Sequence, residues 1–426
     1  MSHIKKILQP LVSRRQGAER GQALILIVFA IIALMGITAL AIDGGGAYVD
    51  RRRAQTAADS AALAGALSRI NGQLWISKTY AVAASNGYAN NGKSSVVEIH
   101  SPPISGPNKG NIEYIQVRIT SRRRTYFASV VGMRQITNVA EAVAHAKPSV
   151  LAPMFEGAAV VSLAPGSDCI NHKAFNVHAE ATLDIWGSGV LVNSNNPTCA
   201  LIQQAEGSIR INDKHPSPIK VVGGASIQKP KLLTPYPPQT KTGGMPYPPP
   251  IFMPKVGCGH KEATILPDGH TISSGNWGGG DFPPIGVTWL ESGVYCLDGN
   301  FVLNGGQLSG GNVLIYMKRG QLRISGSSVV NLSAPHAGQY DGLLIYQPME
   351  NQHPLVLNAA EQSSIQGAIL APGAQIRIKG NDSKYGFHSQ IIGYTIDVDG
   401  TSDIKIYYVK DQNWLAVTMP EVQLAR

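Results

Sequence analysis

Charged residues are scarce in this chain, and the signatures of common hydrolase and metal sites are missing from its sequence. Only 15% of the 426 residues are Asp, Glu, Lys or Arg, whereas glycine (46) and proline (27) are abundant. The sequence has no GxSxG nucleophile elbow, no HExxH zinc motif and no EF-hand calcium loop. This composition disfavours a helical enzyme and is typical of short strands joined by tight turns. The length fits two or three domains.

Acidic residues are especially few in the first third of the chain. Residues 1–150 contain 18 basic and 7 acidic residues, whereas residues 151–426 contain 18 and 20, so the net charge of +9 arises from the N-terminal part. A basic excess can indicate nucleic-acid binding. When it is confined to residues around a membrane segment, it is instead typical of a surface that faces lipid head groups. We therefore expect no nucleic-acid partner.

One long apolar run lies near the N-terminus. Residues 23–42 read ALILIVFAIIALMGITALAI, without a single charge. That is the length that a helix needs to cross the hydrocarbon core of a bilayer. A cleaved signal peptide would have a shorter apolar region that ends in a small-residue cleavage site, and AIDGGGAY matches such a site poorly. We expect the run to be retained as a transmembrane helix, with the lipid bilayer as a partner.

The charges on either side of this run predict its orientation. Lysines and arginines precede it, whereas two aspartates follow it before the next arginines. The positive-inside rule then predicts a cytoplasmic N-terminus, residues 1–22, with the rest of the chain on the other side of the membrane. The basic residues before the run are Lys5, Lys6, Arg14, Arg15 and Arg20. The residues expected at the membrane boundary are Arg20, Asp43, Arg51, Arg52 and Arg53.

The cysteines agree with an oxidising compartment, because all of them follow the apolar run. They are Cys169, Cys199, Cys258 and Cys296. Sequential pairing of the first with the second and of the third with the fourth is the natural choice, although four cysteines allow three connectivities. The alternative is a metal site that uses His172 and His178 beside the first cysteine, or His260 beside the third. Neither spacing matches a known paired-ligand motif, so we expect no metal and no other cofactor.

Residues 47–70 predict a helix that continues from the membrane run, because they are rich in Ala and Leu and contain no proline. Small residues along this helix would allow a second backbone to approach closely. We favour packing against the chain's own sheet, with a partner helix as the alternative. The packing candidates are Ala54, Ala58, Ala61, Ala62 and Gly65.

The segment that follows predicts a short helix around residues 77–89 and two half-buried strands at residues 95–100 and 114–120, which alternate apolar and polar side chains. Residues 43–147 are therefore expected to form one α+β module on the long N-terminal helix.

Several features of this first third occur together: Arg-Gly before the apolar run, Asp-Gly at its end, Tyr48, three consecutive arginines and the stretch QTAADSAALA. With these features the segment ERGQALILIVFAIIALMGITALAIDGGGAYVDRRRAQTAADSAALAGAL resembles the N-terminal segment of the TadE/TadG-like family of Flp (tight adherence) pilus-assembly proteins. The later segments VRITSRRRTYFASVVGM and AEAVAHA are similar to the membrane-proximal module of that family, so the resemblance extends over about residues 19–147. It implies a pilin-like or envelope-anchored component of pilus assembly, with other pilus-assembly or envelope proteins as partners. It also implies that the membrane is the bacterial inner membrane and that the chain after the apolar run is periplasmic or extracellular.

After residue 147 the composition changes to short apolar runs separated by glycine and proline, which predicts an all-β region. We divide it into residues 148–227, a proline-rich segment at residues 228–256, and residues 257–426. Strands recur at intervals of roughly 8–10 residues without Asn-Gly hairpin turns, which favours a parallel β-helix over an antiparallel β-sandwich. The proline-rich segment is either a surface excursion from one continuous solenoid or a spacer between two domains.

One segment, residues 87–94, fits the phosphate-binding pattern GxxxxGK[ST]. A phosphate-binding loop needs a strand before it and a helix after it, so that the helix amides face the phosphates. Here the predicted order is helix first and strand second. We therefore interpret the segment as a helix end and a turn, and expect no nucleotide partner.

Acidic residues near the C-terminus give the strongest enzyme alternative. Asp397 and Asp399 would point the same way on a strand, with Asp403 nearby, and paired carboxylates serve polysaccharide hydrolysis or calcium binding. An exposed turn at Asp399-Gly400 is the interpretation that we favour.

The tryptophans Trp186, Trp289 and Trp414 could line a face for a surface glycan, although half-buried strand aromatics are commoner.

The sequence thus predicts a membrane-anchored, non-catalytic component of Flp/Tad-type pilus assembly or cell-surface adhesion, with an extracytoplasmic β-rich scaffold. The alternative is an envelope polysaccharide-active enzyme on a β-helix.

Overall fold

The computed structural model describes residues 19–358, 360–380 and 385–425. The chain divides into two compact units: the first is Met1–Ser149 together with Pro420–Arg426, and the second is Val150–Met419. Lys5, Lys6, Arg14 and Arg15 of the predicted cytoplasmic N-terminus lie outside the described residues.

The described elements are two α-helices and a long series of mostly short strands. The helices are α1 (Glu19–Ile70) and α2 (Trp75–Ser85). The strands are β1 (Ser95–His100), β2 (Tyr114–Arg124), β3 (Gln135–Lys147), β4 (Leu151–Pro153), β5 (Val160–Ser162), β6 (Phe175–Val177), β7 (Thr182–Trp186), β8 (Val190–Val192), β9 (Leu201–Gln203), β10 (Ser208–Ile211), β11 (Ile219–Val221), β12 (Ala225–Ile227), β13 (Leu233–Thr234), β14 (Thr271–Ile272), β15 (Gly275–Trp277), β16 (Trp289–Leu290), β17 (Gly293–Asp298), β18 (Phe301–Asn304), β19 (Gln307–Gly310), β20 (Val313–Arg319), β21 (Leu322–Ser325), β22 (Val329–Ser333), β23 (Leu343–Tyr346), β24 (Leu355–Leu357), β25 (Ser364–Gln366), β26 (Ala368–Gly380), β27 (Phe387–His388), β28 (Ile391–Gly400), β29 (Asp403–Tyr407), β30 (Leu415–Val417) and β31 (Glu421–Ala425).

In the first unit, one long helix packs on an antiparallel sheet. The helix α1 runs without a break from the apolar run into the alanine-rich segment, which confirms the prediction that the two are continuous. The strands β1 and β2 confirm the predicted strand positions, and the sheet has the order β1-β2-β3-β31. The apolar run itself is not packed against the rest of the protein, because the side chains of residues 24–29 are all exposed.

The last strand of the chain belongs to the first unit. Strand β31 pairs antiparallel with β3, in a register that sets Val143 opposite Ala425 and Lys147 opposite Glu421. The sequence analysis had placed these residues in the β-rich region of residues 257–426. The pairing joins segments almost 280 residues apart in the chain, and such a pairing leaves no local pattern from which it could be read.

The second unit is built almost entirely from parallel strand pairs, in one sheet of 10 strands and one of 15. From β16 to β22, each strand pairs in parallel with the strand three places later in the chain. An antiparallel sandwich would require the opposite pairing. The one antiparallel pair of named strands in the described part of this unit is β4 with β30.

The two β-rich stretches of the sequence form one unit, because their strands share both sheets. Strand β28 pairs with β5 and β6, and β29 pairs with β7, so the start of the β region is hydrogen-bonded to its end. The early strands β5 to β13 extend the sheets in one direction from this junction, and β27 back to β14 extend them in the other. The proline-rich segment connects the two ends and is therefore a surface excursion.

Residues of this excursion pack against the unit as they pass. The Met245 amide donates to Asn193 Oδ1 at 2.8 Å, and the Phe252 amide donates to the Val417 carbonyl at 3.0 Å. Ile251 is buried in a hydrophobic cluster with Met154 and Trp414.

The core of the second unit consists of large aliphatic and aromatic side chains stacked from strand to strand. Leu183, for example, is the register partner of both Ile209 and Ile404, and all three are buried. Near the other end of the sheets, the Phe282 ring lies 5.8 Å from Phe301 and 5.6 Å from Tyr295. Because parallel register places like residues over like, each strand buries its neighbour's apolar side chains.

Candidate functional site

The end of the apolar run is tied to the connection between β2 and β3. Asp43 is the first residue after that run, and its carboxylate accepts hydrogen bonds from the backbone amides of Tyr126 (2.9 Å), Phe127 (2.9 Å) and Ala128 (2.6 Å). Asp43 is only 8% exposed. The sequence analysis had identified Asp43 as a boundary residue, and the structure adds that its charge is engaged by three amides.

A second carboxylate joins α1 to the sheet about two turns further on. Asp50 accepts hydrogen bonds from the Tyr88 hydroxyl (3.1 Å) and from Asn138 Nδ2 (2.8 Å). Burial, together with the negative charge of Asp50, raises the pKa of Tyr88 to about 12, so that the hydroxyl remains a donor over the physiological range. Sequence reasoning missed this contact, because the three residues are far apart in the chain.

The predicted packing residues of α1 lie on its buried face. Ala54, Ala58, Ala61 and Ala62 are completely buried, in a cluster with sheet residues such as Val117. Their neighbours are therefore the chain's own strands, not a partner helix. A Cβ added to Gly65 would lie 2.3 Å from Thr79 Oγ1, so this glycine allows α2 to approach α1 closely.

The predicted boundary arginines lie on the exposed surface of α1 where their side chains are described. Arg51, Arg52 and Arg53 are all exposed, on the turn before the buried alanines. Arg20 lies in the first turns of α1.

All four cysteines form disulfides, Cys169 with Cys199 and Cys258 with Cys296, which is the sequential pairing. A metal site at Cys169 or Cys258 would need a thiolate, which a disulfide does not provide. The first disulfide closes the loop of residues 169–199. Asp168, the residue before this loop, accepts the amides of Ile170, Asn171 and His172 with its carboxylate and contacts the His172 ring. These bonds, above all those from His172, hold the pKa of Asp168 well below its usual range.

This disulfide-closed loop forms one wall of a polar cleft of about 810 Å³ in the second unit. The floor comes from neighbouring parallel strands: Asn176 on β6, Arg377 on β26 and Asp397 on β28 are register partners. The proline-rich excursion supplies Tyr247, whose ring packs edge-on against Tyr394 at 5.2 Å. Burial raises the pKa of Tyr247.

Asp397 is one of the residues that line the cleft, and both of its carboxylate oxygens have partners. Its Oδ1 accepts from Asn176 Nδ2 (3.1 Å) and lies 3.1 Å from His178 Nε2, and its Oδ2 accepts from Arg377 Nε at 2.8 Å. The side chain is largely buried. The expectation of an exposed turn aspartate is therefore wrong for Asp397, because parallel register aligns it with a cation and an amide on the neighbouring strands.

Asp399 lies two residues beyond Asp397 on β28 and continues the same row of charges. It lies 3.4 Å from Lys379 Nζ and 3.9 Å from His178 Nδ1. Each of the two carboxylates thus pairs with the cation opposite it on β26, Asp397 with Arg377 and Asp399 with Lys379. Asp403 begins the next strand, β29. A general acid or base needs an oxygen directed at substrate or water, whereas the oxygens of Asp397 are directed at protein donors. This arrangement neutralises charge within the cleft floor.

The three tryptophans considered for a glycan-binding face lie apart from one another. Trp186 stacks on Tyr407 at 4.6 Å, Trp289 is exposed on β16, and Trp414 is buried in the hydrophobic cluster around Ile251. The aromatic pair in the cleft is instead Tyr247 with Tyr394, which a search for tryptophans does not reveal.

The segment that fits the phosphate-binding pattern lies between α2 and β1, in the predicted order of helix and then strand. Asn91 Oδ1 accepts the amides of Lys93 and Ser94 at 2.9 Å, which closes a turn. These two amides are therefore directed at a side chain of the protein.

Comparison of the chain with curated proteins and with solved structures found no match. A protein-family model does match, and it covers the whole apolar run, the boundary residues from Asp43 to Arg53 and the packing candidates from Ala54 to Gly65. The resemblance of the segments after residue 68 stays a prediction. The matching model is described as putative Flp pilus-assembly TadE/G-like, and it matches residues 21–68. This match confirms the resemblance for the N-terminal helix.

Proposed function

We propose that the protein is a membrane-anchored, non-catalytic component of Flp/Tad-type pilus assembly or surface adhesion. The observation that carries this proposal is the coincidence, in one helix, of a family match over residues 21–68 with a run long and apolar enough to cross a membrane. Because the side chains of that run are exposed and the rest of α1 is packed on the sheet, the run is free to enter lipid.

The orientation in this proposal follows from charge and from the disulfides. The basic residues before the run favour a cytoplasmic N-terminus. Both disulfides lie in the second unit, and disulfides persist in oxidising compartments such as the periplasm. We therefore place the two units outside the inner membrane.

The second unit acts in this proposal as a rigid scaffold, a parallel β-helix in which three strands make one turn. The repeated pairing of each strand with the strand three places later supports this architecture. Stacked turns bury a continuous core and present long regular faces, a geometry suited to holding partners at a distance from the membrane.

The test is complementation in cells that lack the protein. We expect pilus fibres to be lost, and the full chain to restore both the fibres and a membrane-bound product. Replacing Ile31 and Leu34 by lysine places two charges near the bilayer centre, at a cost of about 3 kcal/mol each. This variant should be released into the soluble fraction and should not restore the fibres.

The matched control is Leu67→Lys, since Leu67 is also exposed on α1 but lies beyond the apolar run. It should behave like the unchanged chain. The proposal is wrong if fibres form normally without the protein, or if the double lysine variant stays in the membrane and supports assembly.

The polar cleft supports a second candidate function, the binding of a surface glycan. Two tyrosine rings stand beside the amides of Asn171, Gln352 and Gln375, and sugars bind through such combinations of aromatic faces and planar polar groups. Titration of the full chain with envelope oligosaccharides should show binding that Tyr394→Ala abolishes. Tyr236→Ala is the control, because Tyr236 is exposed and does not line the cleft.

The same titration separates binding from catalysis. If the cleft were a polysaccharide-active site, the oligosaccharide would be cleaved and Asp397→Asn would abolish its turnover. We expect intact oligosaccharide after prolonged incubation, since the oxygens of Asp397 are occupied by Asn176, His178 and Arg377.

A further inference from the structure

The connection between β2 and β3 carries an unusual set of exposed apolar side chains. We call residues 125–134, TYFASVVGMR, the interfacial tip. Within these ten residues Tyr126 is 77% exposed, Val130 87% and Met133 56%, and Phe127 is also exposed. Single exposed apolar residues are ordinary on a protein surface. Four of them in one short connection mark a surface that meets something apolar.

The position of the interfacial tip identifies what it meets. The Asp43 carboxylate accepts the backbone amides of Tyr126, Phe127 and Ala128, at 2.6 to 2.9 Å. Asp43 directly follows the apolar run of residues 23–42. A helix that spans the hydrocarbon core with this run has Asp43 at the level of the lipid head groups, and the three hydrogen bonds hold the tip at the same level.

The charges around the tip complement a phospholipid surface. Arg122, Arg123 and Arg124 precede it and Arg134 ends it, and there is no acidic residue between Arg122 and Ile136. Arg123 and Arg124, together with Tyr126, line a small cleft of about 150 Å³ beside Ile42 and Asp43. Aromatic and aliphatic side chains flanked by arginines are characteristic of surfaces that lie in the membrane interface.

We propose that the interfacial tip inserts its apolar side chains into the outer leaflet of the membrane that holds residues 23–42, with its arginines on the phosphate groups of anionic lipids. This inference rests on the proposed anchoring of α1. A second contact with lipid fixes the rotation of α1 about its own axis, because a tip on one side of the helix can reach the interface in one orientation. The sheet and the alanine face then have a defined direction relative to the membrane.

The test measures the depth of single fluorescent labels in nanodiscs that contain the full chain. Because all four native cysteines are paired in disulfides, one introduced cysteine can be labelled selectively. Val130→Cys reports the tip, Leu74→Cys reports an exposed site at the other end of α1, roughly 40 Å along the helix, and Ile32→Cys reports the middle of the apolar run. Quenchers attached to the lipid chains then reveal which labels lie in the bilayer.

We expect strong quenching at residues 32 and 130 and none at residue 74. Quenching at residue 32 without quenching at residue 130 would overturn the inference and leave the anchoring intact. Absence of quenching at residue 32 would overturn both. Each of these sites is exposed, so the substitutions leave the packing of the unit unchanged.

The role of the arginines is tested by Arg123→Gln combined with Arg124→Gln in the Val130→Cys chain. One basic residue at an anionic surface changes the binding constant about fivefold. In nanodiscs with anionic lipid, the double substitution should therefore shift the equilibrium between inserted and water-exposed tip about 25-fold toward water. In nanodiscs made only of zwitterionic lipid the pair should change quenching little. Equal loss in both lipids would contradict the assignment of the arginines to anionic head groups.

Discussion

The first unit joins its helix to its sheet through alanines, whereas the second unit fills its interior with rows of Ile, Leu, Val and Phe on parallel strands. Alanine contributes little apolar area, so the first unit depends on close approach along a long helix. The second unit depends on the volume of its side chains. The stability of the two units should therefore be sensitive to opposite changes in the core. Added atoms should destabilise the first unit most, and removed atoms should destabilise the second unit most.

Two aspartates from each unit differ in how far along the chain their hydrogen-bond partners lie. In the first unit, Asp43 accepts from the Tyr126 amide and Asp50 from Asn138 Nδ2, and both donors lie more than 80 positions away, so these bonds hold α1 to distant segments. In the second unit, Asp168 and Asp268 accept hydrogen bonds from amides two to four positions ahead and stabilise their own turns. Loss of Asp43 or Asp50 should thus loosen a whole element, whereas loss of Asp168 or Asp268 should loosen a single turn.

The largest expected effect is a truncation in the core of the second unit. Phe301→Ala should lower the free energy of unfolding of that unit by about 3–5 kcal/mol, because Phe301 is fully buried and contacts Phe282. Hydrogen exchange followed by mass spectrometry reports each unit separately. Phe252→Ala is the control, since this ring is half exposed in the same unit. A loss below 1 kcal/mol would show that the core tolerates a cavity.

The disulfides should have an effect that is nearly as large and also confined to the second unit. Replacing Cys258 and Cys296 by serine removes a crosslink between residues 38 positions apart, and the loss of chain restriction is worth about 3–4 kcal/mol. Exchange in α1 and α2 should be unchanged, because the first unit contains no cysteine. Equal destabilisation of both units would contradict their separate cores.

In the first unit, the sharpest test is an added methyl group. Gly65→Ala should lower the stability of the contact between α1 and α2 by about 1–2 kcal/mol, since overpacking costs more than alanine gains in helix propensity. In the Thr79→Ala background the same substitution should be neutral or stabilising, because the clashing hydroxyl is gone.

Gly45→Ala is the control for this cycle, because a Cβ at this helical position meets no other atom. It should be neutral or slightly stabilising. If Gly65→Ala had the same effect in both backgrounds, the contact with Thr79 would not be the cause.

The smallest effect is a local dependence on pH. Backbone and side-chain hydrogen bonds from His172 lower the pKa of Asp168 from its ordinary 3.8. The ionised Asp168 therefore stabilises the folded turn fully above pH 3.8, and this stabilisation is lost as the pH falls below that value and the carboxylate is protonated. Exchange at residues 168–172 should rise in acid, and Asp168→Asn should remove this pH dependence. Asp268 accepts amides in a similar turn, and Asp268→Asn is the control. It should leave the exchange of residues 168–172 unchanged. A response that extends over the whole unit would contradict a local role.

Local patterns in the sequence predicted the elements of the first unit well. The apolar run, the alanine spacing from Ala54 to Ala62 and the alternation in residues 95–100 each reflect a neighbour within a few residues or one face of an element. The position of β31 beside β3, and the junction of β28 with β5, depend on pairing between distant segments. No periodicity records such a pairing, so the sequence could not decide that the two β stretches share their sheets.

The cleft was predicted less well, for a related reason. Asp397 and Asp399 were recognised as residues on one face, but their partners Asn176 and His178 lie more than 200 positions away and meet them only through parallel register. The sequential disulfides were the natural choice from the order of the cysteines, although the sequence alone allowed three connectivities. The hydrogen bonds of Asp43 to the interfacial tip were not, because nothing near Asp43 in the sequence indicates a distant loop.

The central claim is that residues 23–42 cross the membrane and both units lie outside the cytoplasm. Protease protection on sealed spheroplasts tests it most directly, with one epitope tag before the apolar run and one after β31. We predict that added protease removes the second tag without lysis and leaves the first intact until the membrane is dissolved. Protection of the second tag in sealed cells, with all four thiols reduced, would contradict the account.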